Sequence, residues 1–293
     1  MTLHQISTSA VAAQKLPSRT PPSEASEAAL VRRVHSGDLW QLGEHRLLCG
    51  NGTDPEQVDR LFAGERAHLT ITSPPYNIGG HSTLLAGDPG KTSKYLHTTD
   101  ALPPTDYLRL LTECTNNALA HSDIVIVDVQ MLAGNKVTLV EWLHHFRHDL
   151  IDVAIWDKGH AQPAMARNVL NTRFEYLWFL TRRRSKGRTS RTLFTADFRG
   201  TMSNVYNAPP RKGNPYYAVH AATFPLHLPL WLLQSFDSEK GAVFDPFLGT
   251  GTTLIAAQRL GRQCYGIEIE PAYCDIVVKR WEQEAGTTAQ RIG

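Results

Sequence analysis

The chain has 293 residues, 42% of them hydrophobic and 20% charged, with a net charge of +2, which allows one large domain or two small ones with an ordinary core. A charge so near zero excludes a surface that is basic throughout, so any polyanion contact must be a local patch. No apolar run reaches the ~18 residues of a membrane span and the first residues lack a signal peptide's apolar segment. Cys49, Cys114, Cys264 and Cys274 form no CxxC pair, so the chain reads as cytoplasmic with reduced, packed thiols.

Residues 1–36 are rich in Ser, Ala, Pro and Thr without periodicity and read as a disordered tail, within which "SEASEAALVRRV" could form a short helix behind an N-cap serine. Then "EHRLLCGN" (44–51) predicts a strand and "DPEQVDRLFAG" (54–64) a helix with Asp54 as N-cap and Pro55 at its first position. "AHLTITS" (67–73) predicts a buried strand, 104–120 a helix, 123–129 a strand, 136–148 a helix, and 151–158 and 174–182 two further strands. Helix 226–236, strand 242–247, helix 252–261, strand 263–270 and helix 272–285 follow, with a short tail at 286–293. Strands alternating with helices of this length define an α/β fold with a mostly parallel sheet covered on both faces.

The stretch from about 181 to 219 breaks that rhythm. It carries Arg182, Arg183, Arg184, Lys186, Arg188 and Arg191, then a Gly/Asn/Pro-rich run that includes Tyr206 and Asn207. It reads as an insertion projecting from the sheet, its arginines suited to phosphate contacts and its later part to base edges. The Gly-rich loop 78–95 reads as a second mobile element that could close over a ligand.

"VFDPFLGTGTTLIAAQRLG" is a strand, a glycine turn and a helix start, with Asp245 at the strand's carboxyl end and Gly249 and Gly251 in the turn. A dinucleotide fingerprint would need a third glycine where Leu254 stands, and a phosphate loop would need a lysine that is absent. Glu268 follows 23 residues after Asp245 at the end of the next predicted strand, where a carboxylate accepts ribose hydroxyls. A glycine turn for an amino-acid moiety plus an acid for a ribose describes S-adenosylmethionine. Earlier in the chain, "ITSPPYN" (71–77) ends a strand abruptly, because two prolines supply no N–H and fix φ. It presents the Ser73 hydroxyl, the rigid Pro74 and Pro75 carbonyls and the Tyr76 ring at one strand end.

"DPFLGTGTT" resembles the F-x-G-x-G cofactor motif of DNA amino-methyltransferases, and "TSPPYN" their catalytic [DNS]-P-P-[YFW] motif. The catalytic motif comes first here, as in the circularly permuted β group of that family, and "GDLWQLGEHRLLCGNGTDPEQVDRL" (37–61) is similar to the opening of bacterial and phage modification methylases. The resemblance implies a Rossmann-like S-adenosylmethionine-dependent methyltransferase domain over 37–285. It implies cofactor contacts from Asp245, Phe247, Gly249, Gly251, Thr252 and Glu268, from Thr72, and from His220, Phe224 and Pro225 in "HAATFP", which would face the methionine end. Asn51, where related sequences usually carry Asp, would face the adenine. Ser73 and the Pro74 carbonyl would hold the target amino group, and Tyr76 would stack on a base flipped out of double-stranded DNA.

Ser-Pro-Pro-Tyr is found in this family mostly with N4-cytosine enzymes and Asp-Pro-Pro-Tyr with N6-adenine ones, so the resemblance favours N4 of cytosine, with N6 of adenine as the alternative. An RNA amino-methyltransferase and a catalytically silent DNA-binding regulator are further readings. A homodimer and a companion restriction endonuclease are compatible partners. The thirteen histidines show no metal-ligand spacing, so no metal is expected.

Overall fold

The computed structural model describes residues 33–77, 101–162, 167–183, 191–210 and 223–293. The expected N-terminal helix, the loop 78–95, and Arg184, Lys186, Arg188 and His220 lie outside the described residues.

The described chain forms one ten-stranded mixed sheet between two layers of helices. In chain order the elements are β1 (Leu39–Leu42), β2 (His45–Cys49), α1 (Pro55–Phe62), β3 (Ala67–Thr72), α2 (Pro104–His121), β4 (Ser122–Val129), α3 (Lys136–His145), β5 (Leu150–Gln162) and β6 (Thr172–Leu180). They continue with β7 (Val205–Asn207), α4 (His227–Phe236), β8 (Val243–Asp245), α5 (Thr252–Arg259), β9 (Cys264–Glu268), α6 (Pro271–Ala285) and β10 (Gln290–Arg291). The strand order is β10-β1-β2-β9-β8-β3-β4-β6-β5-β7. From β2 to β4 all neighbours are parallel, while β6 runs antiparallel to both β4 and β5.

Alternation along the strands fixes which helices each face receives. Leu47, Cys49, Leu69, Ile71, Ile124 and Ile126 pack with α4, α5 and α6, whereas Leu48, Val125, Val127 and Tyr265 pack with α1, α2 and α3. From β8 the chain passes through α5 to β9 on one side, and from β3 through α2 to β4 on the other. The boundary between β8 and β3 is therefore the topological switch point, where the carboxyl ends of neighbouring strands open a crevice. Asp54 caps α1 as expected, accepting from the Glu56 and Gln57 amides.

The described parts of both expected tails are tied to the fold. The backbone N–H groups of Arg33 and Val34 each donate to Asp275 Oδ1 at 3.1 Å, and Val34 is fully buried, so residues 33–36 are anchored on α6. Residues 286–293 add β10 beside β1, with Leu39 N donating to Gly293 O at 2.6 Å. Short edge strands carry too few residues to show a period. Within the expected insertion, the described residues 191–210 do not project but return along the sheet, with Leu193, Ala196, Met202 and Tyr206 against the core and β7 paired to β5.

Candidate active site

The two motifs meet at the switch point. β8 ends at Asp245, and the turn after it needs the left-handed backbone that glycine supplies, at φ 54° for Gly249 and φ 84° for Gly251, which precedes α5. A Cβ at Gly251 would also press against Val277 at 3.1 Å. Glu268 ends β9 with 7% exposure and reaches back to this turn, accepting from Gly249 N and Glu270 N at 2.8 Å each. Burial pushes its carboxyl up to about 7 even though both amides favour the charged form. Thr250 Oγ1, in the middle of the turn, is buried and has no partner among the described residues, and its carbonyl is taken by Arg280, which also reaches Thr252 Oγ1. The turn thus offers an unspent hydroxyl and close backbone access beside a buried acid, which fits a nucleoside-bearing amino-acid cofactor.

Asp245, only 1% exposed, does not face that crevice as a free ligand. It accepts from Thr72 Oγ1 (3.1 Å), Thr253 Oγ1 (2.6 Å) and Phe247 N (3.1 Å), and burial raises it to about 7. The carboxyl braces the glycine turn and the start of α5 against the end of β3, so Thr72 and Asp245 together hold the two motifs in one geometry. An apolar cleft lined by Thr72, Pro74, Cys114, Val127, Pro246 and Phe247 lies between the motifs. Phe224 and Pro225 lie at the entry to α4, where Phe224 packs against the core and the Pro225 carbonyl accepts from Leu228 N. The exposed Asn51 side chain is turned into a local loop, its Oδ1 accepting from both Thr53 N and Thr53 Oγ1. Gly52 beside it packs on the glycine turn, and an added Cβ would stand 2.8 Å from the Pro246 carbonyl. Gly52→Ala should therefore shift one loop against the other at a cost of about 1–3 kcal/mol, the usual scale of overpacking, read as a lowered midpoint in denaturant. An unchanged midpoint would refute that contact.

At the end of β3 the Ser-Pro-Pro-Tyr turn is held from behind. Tyr107 Oη donates to the Pro75 carbonyl at 2.8 Å and Asn135 Nδ2 to the Tyr76 carbonyl at 2.7 Å. Ser73 Oγ donates to Tyr76 Oη at 3.3 Å, and Tyr76 Oη donates to Glu175 Oε2 at 3.0 Å. Glu175, 6% exposed on β6, is ion-paired with Lys158 on β5. Asp128, 1% exposed on β4, completes the cluster with neither carboxyl oxygen hydrogen-bonded among the described residues. Burial, then the neighbouring Glu175, push it well above the usual carboxylate range. Sequence reading missed Asp128, Lys158 and Glu175, although an acid inside an apolar strand such as "DIVIVDV" is itself a signal.

Arg182, Arg183 and Arg191, the described members of the basic run, lie away from the Ser-Pro-Pro-Tyr turn. β6 is antiparallel to β4, with Val129 opposite Tyr176 and Val125 opposite Leu180, so the chain leaves β6 at the amino-terminal pole of the sheet. There Arg182 bonds Asn116, Arg183 pairs with Asp123 and lies over the Phe194 ring, and Arg191 pairs with Asp152. This places them about 15 Å below the catalytic turn along the strand direction. Tyr206 is also committed, stacked on Trp231 at 4.2 Å and hydrogen-bonded to His227. Asn207, exposed at the carboxyl end of β7, lies at the catalytic pole near Asp157. What rises over that pole is the β5–β6 ribbon, whose residues 156–162 and 172–175 run past the end of β4 by roughly 13 Å, the extra residues of β5 being taken up in an irregularity between Asp157 and Gln162. Near its tip are the exposed Arg167 and Leu170, the latter 90% exposed.

The sequence profile of the DNA methylase family of N6 and N4 enzymes matches residues 67–279, and the chain belongs to that family. The type II methyltransferase M.SmaI of Serratia marcescens is 28% identical over 134 residues, covering 43% of this chain and 44% of that protein, so the match spans less than half of the relative's length. Among solved structures, the DNA modification methylase TTHA0409 of Thermus thermophilus superposes with a TM-score of 0.55 at 21% identity, covering 84% of this chain and 97% of that one. The cytosine-N4-specific PvuII DNA methyltransferase gives 0.56 at 17% identity over 78% and 82% of the two chains. These likenesses carry the fold, a Rossmann-like methyltransferase sheet.

Proposed function

We propose that this chain transfers a methyl group from S-adenosylmethionine to the exocyclic amino group of a flipped base in double-stranded DNA, with N4 of cytosine as the target. The observation that carries the reading is the junction of the Ser-Pro-Pro-Tyr turn with the glycine turn across the β3–β8 switch point, tied by the Thr72–Asp245 hydrogen bond. Glu268 would hold the ribose hydroxyls, and the Gly249–Gly251 backbone with Thr250 the amino-acid end. When bound, the cofactor supplies a methyl group on a sulfonium, already activated for displacement.

The protein's task is then to make a poor nucleophile competent. The lone pair of a base amino group is delocalised into its ring. Ser73 Oγ spends its proton on Tyr76, which leaves its lone pairs to accept one amino hydrogen, while the Pro74 carbonyl accepts the other. Both acceptors are fixed by the prolines and the Tyr107 and Asn135 bonds behind them, so the nitrogen is drawn toward a tetrahedral shape without reorganisation. Tyr76, its hydroxyl anchored on Glu175, offers a fixed ring face to the base. The serine of the motif favours cytosine; adenine would use the same acceptors.

DNA would approach the catalytic pole, against the β5–β6 ribbon. Arg167→Ala should then flatten the dependence of log affinity on log salt by roughly 0.9, the worth of one phosphate no longer neutralised, and Arg182→Ala with Arg183→Ala should leave the slope unchanged. The reverse pattern would move the DNA surface to the far pole. The activity itself is tested by transfer of tritiated methyl groups to unmethylated bacterial genomic DNA, with bulk RNA and protein as competing acceptors. Label in DNA alone supports the proposal, and label in RNA or protein alone refutes it.

A further inference from the structure

We infer that Glu175 is the final proton acceptor of the methyl-transfer step, reached from the substrate through Ser73 and Tyr76. The inference rests on the function proposed above and deepens it. As the amino nitrogen forms its bond to the methyl carbon, the carbon–sulfur bond breaks and its electron pair stays on sulfur, leaving the nitrogen positively charged with one proton too many. The Pro74 carbonyl can accept a hydrogen bond but has no proton to pass on. Ser73 can accept and pass on, because its own proton already points at Tyr76 Oη, 3.3 Å away. Tyr76 in turn donates to Glu175 Oε2 at 3.0 Å. The substrate proton moves to Ser73 Oγ, the serine proton to Tyr76 Oη, and the tyrosine proton to Glu175, with no net change at either hydroxyl.

The groups facing Glu175 suit it to this end position. Lys158 on β5 pairs with it and supplies the positive charge that a carboxylate needs where only 6% of the residue is exposed. Asp128 on β4 is the other acid in the cluster, and among the described residues neither of its oxygens bonds the Tyr76 hydroxyl, so the Ser73–Tyr76 chain does not lead to it. Tyr76, the third titratable neighbour, stays protonated because burial and both acids push its phenol upward. Among the described residues, Glu175 is the one carboxylate that the Ser73–Tyr76 chain reaches.

Glu175→Gln keeps an acceptor for the Tyr76 hydroxyl but cannot take its proton. Single-turnover transfer to unmethylated bacterial genomic DNA, with the cofactor saturating, should slow by about 100-fold, the low end for losing a general base. The loss should fall on the transfer step, with cofactor affinity and DNA affinity unchanged, and Glu175→Asp, which keeps a carboxylate, should recover part of the rate; the unpaired Lys158 should lower the thermal midpoint of Glu175→Gln without touching either affinity. Tyr76→Phe keeps the ring and cuts the same path, and should show the same loss; it decides the matter if Glu175→Gln does not fold. Wild-type rates in either variant would overturn the inference and leave the proposed function standing. A wild-type chain that labels no DNA would overturn the function, and the relay with it.

Discussion

Ser73→Ala should fold and bind S-adenosylmethionine as the parent does, yet lose roughly 10²–10³-fold in the rate of methyl transfer, the scale of removing one preorganised hydrogen-bonding group at a reacting centre. The side chain is at the end of β3, and its one hydrogen bond among those described goes to Tyr76 Oη, so its loss leaves the core untouched. The Thr72–Asp245 brace and the Glu268–Gly249 contact that shape the cofactor side do not pass through it. The effect should therefore fall on turnover, with little change in the cofactor's dissociation constant. A variant that transfers methyl groups at the parental rate would remove Ser73 from the chemistry. One that loses cofactor binding as well would mean that the two motifs are less separable than their hydrogen bonds indicate.

Glu268→Ala should act on the other half of the site, weakening S-adenosylmethionine binding by about 1.5–3 kcal/mol, the usual worth of a hydrogen bond to a charged group. The same residue predicts a proton linkage. Its carboxyl stands at about 7 in the ligand-free protein, raised by burial, while ribose hydroxyls donate to the ionised form. Cofactor binding near neutral pH should thus release protons, and affinity should rise with pH through 7. Calorimetry in two buffers of different ionisation enthalpy reads the release directly, and identical heats in both would contradict the linkage. Stability has the opposite dependence. Asp245 and Glu268 both have folded-state values raised to about 7 above their ordinary ones, so the folded protein holds protons that the unfolded chain gives up. Their contribution is fully present below about pH 4 and is lost as pH rises to about 7, each group contributing about 1.4 kcal/mol for every pH unit of that window. The ligand-free protein should accordingly lose stability across that window, and bound cofactor should offset part of the loss.

Most of the element order could be read from the sequence, because the parallel strands are continuous apolar runs punctuated by strong signals: Asp54-Pro55 at α1, the two prolines after Thr72, the glycines before α5. The residues of both motifs lie where their strands end, at one pole of the sheet. What composition could not convey was direction. The arginines after Leu180 read as a DNA-facing patch by charge alone, and only the antiparallel course of β6 shows that Arg182, Arg183 and Arg191 lie at the pole away from Ser73. The same strand reversal lifts β5 and β6 over the site as a ribbon longer than the strand predicted at 151–158. The Asp128–Glu175–Lys158 cluster matches no motif because its members come from three strands and share no spacing in the chain. Only the register, with Asp128 opposite Leu177 and Trp156 opposite Glu175, brings them together.

The most direct test of the central claim is nucleoside mass spectrometry on DNA from cells expressing the chain, alongside cells expressing Ser73→Ala. N4-methyldeoxycytidine in the first sample and its absence from the second is the predicted result. N6-methyldeoxyadenosine in its place would overturn the choice of base, and the absence of any amino-methylated nucleoside would contradict the proposed activity itself.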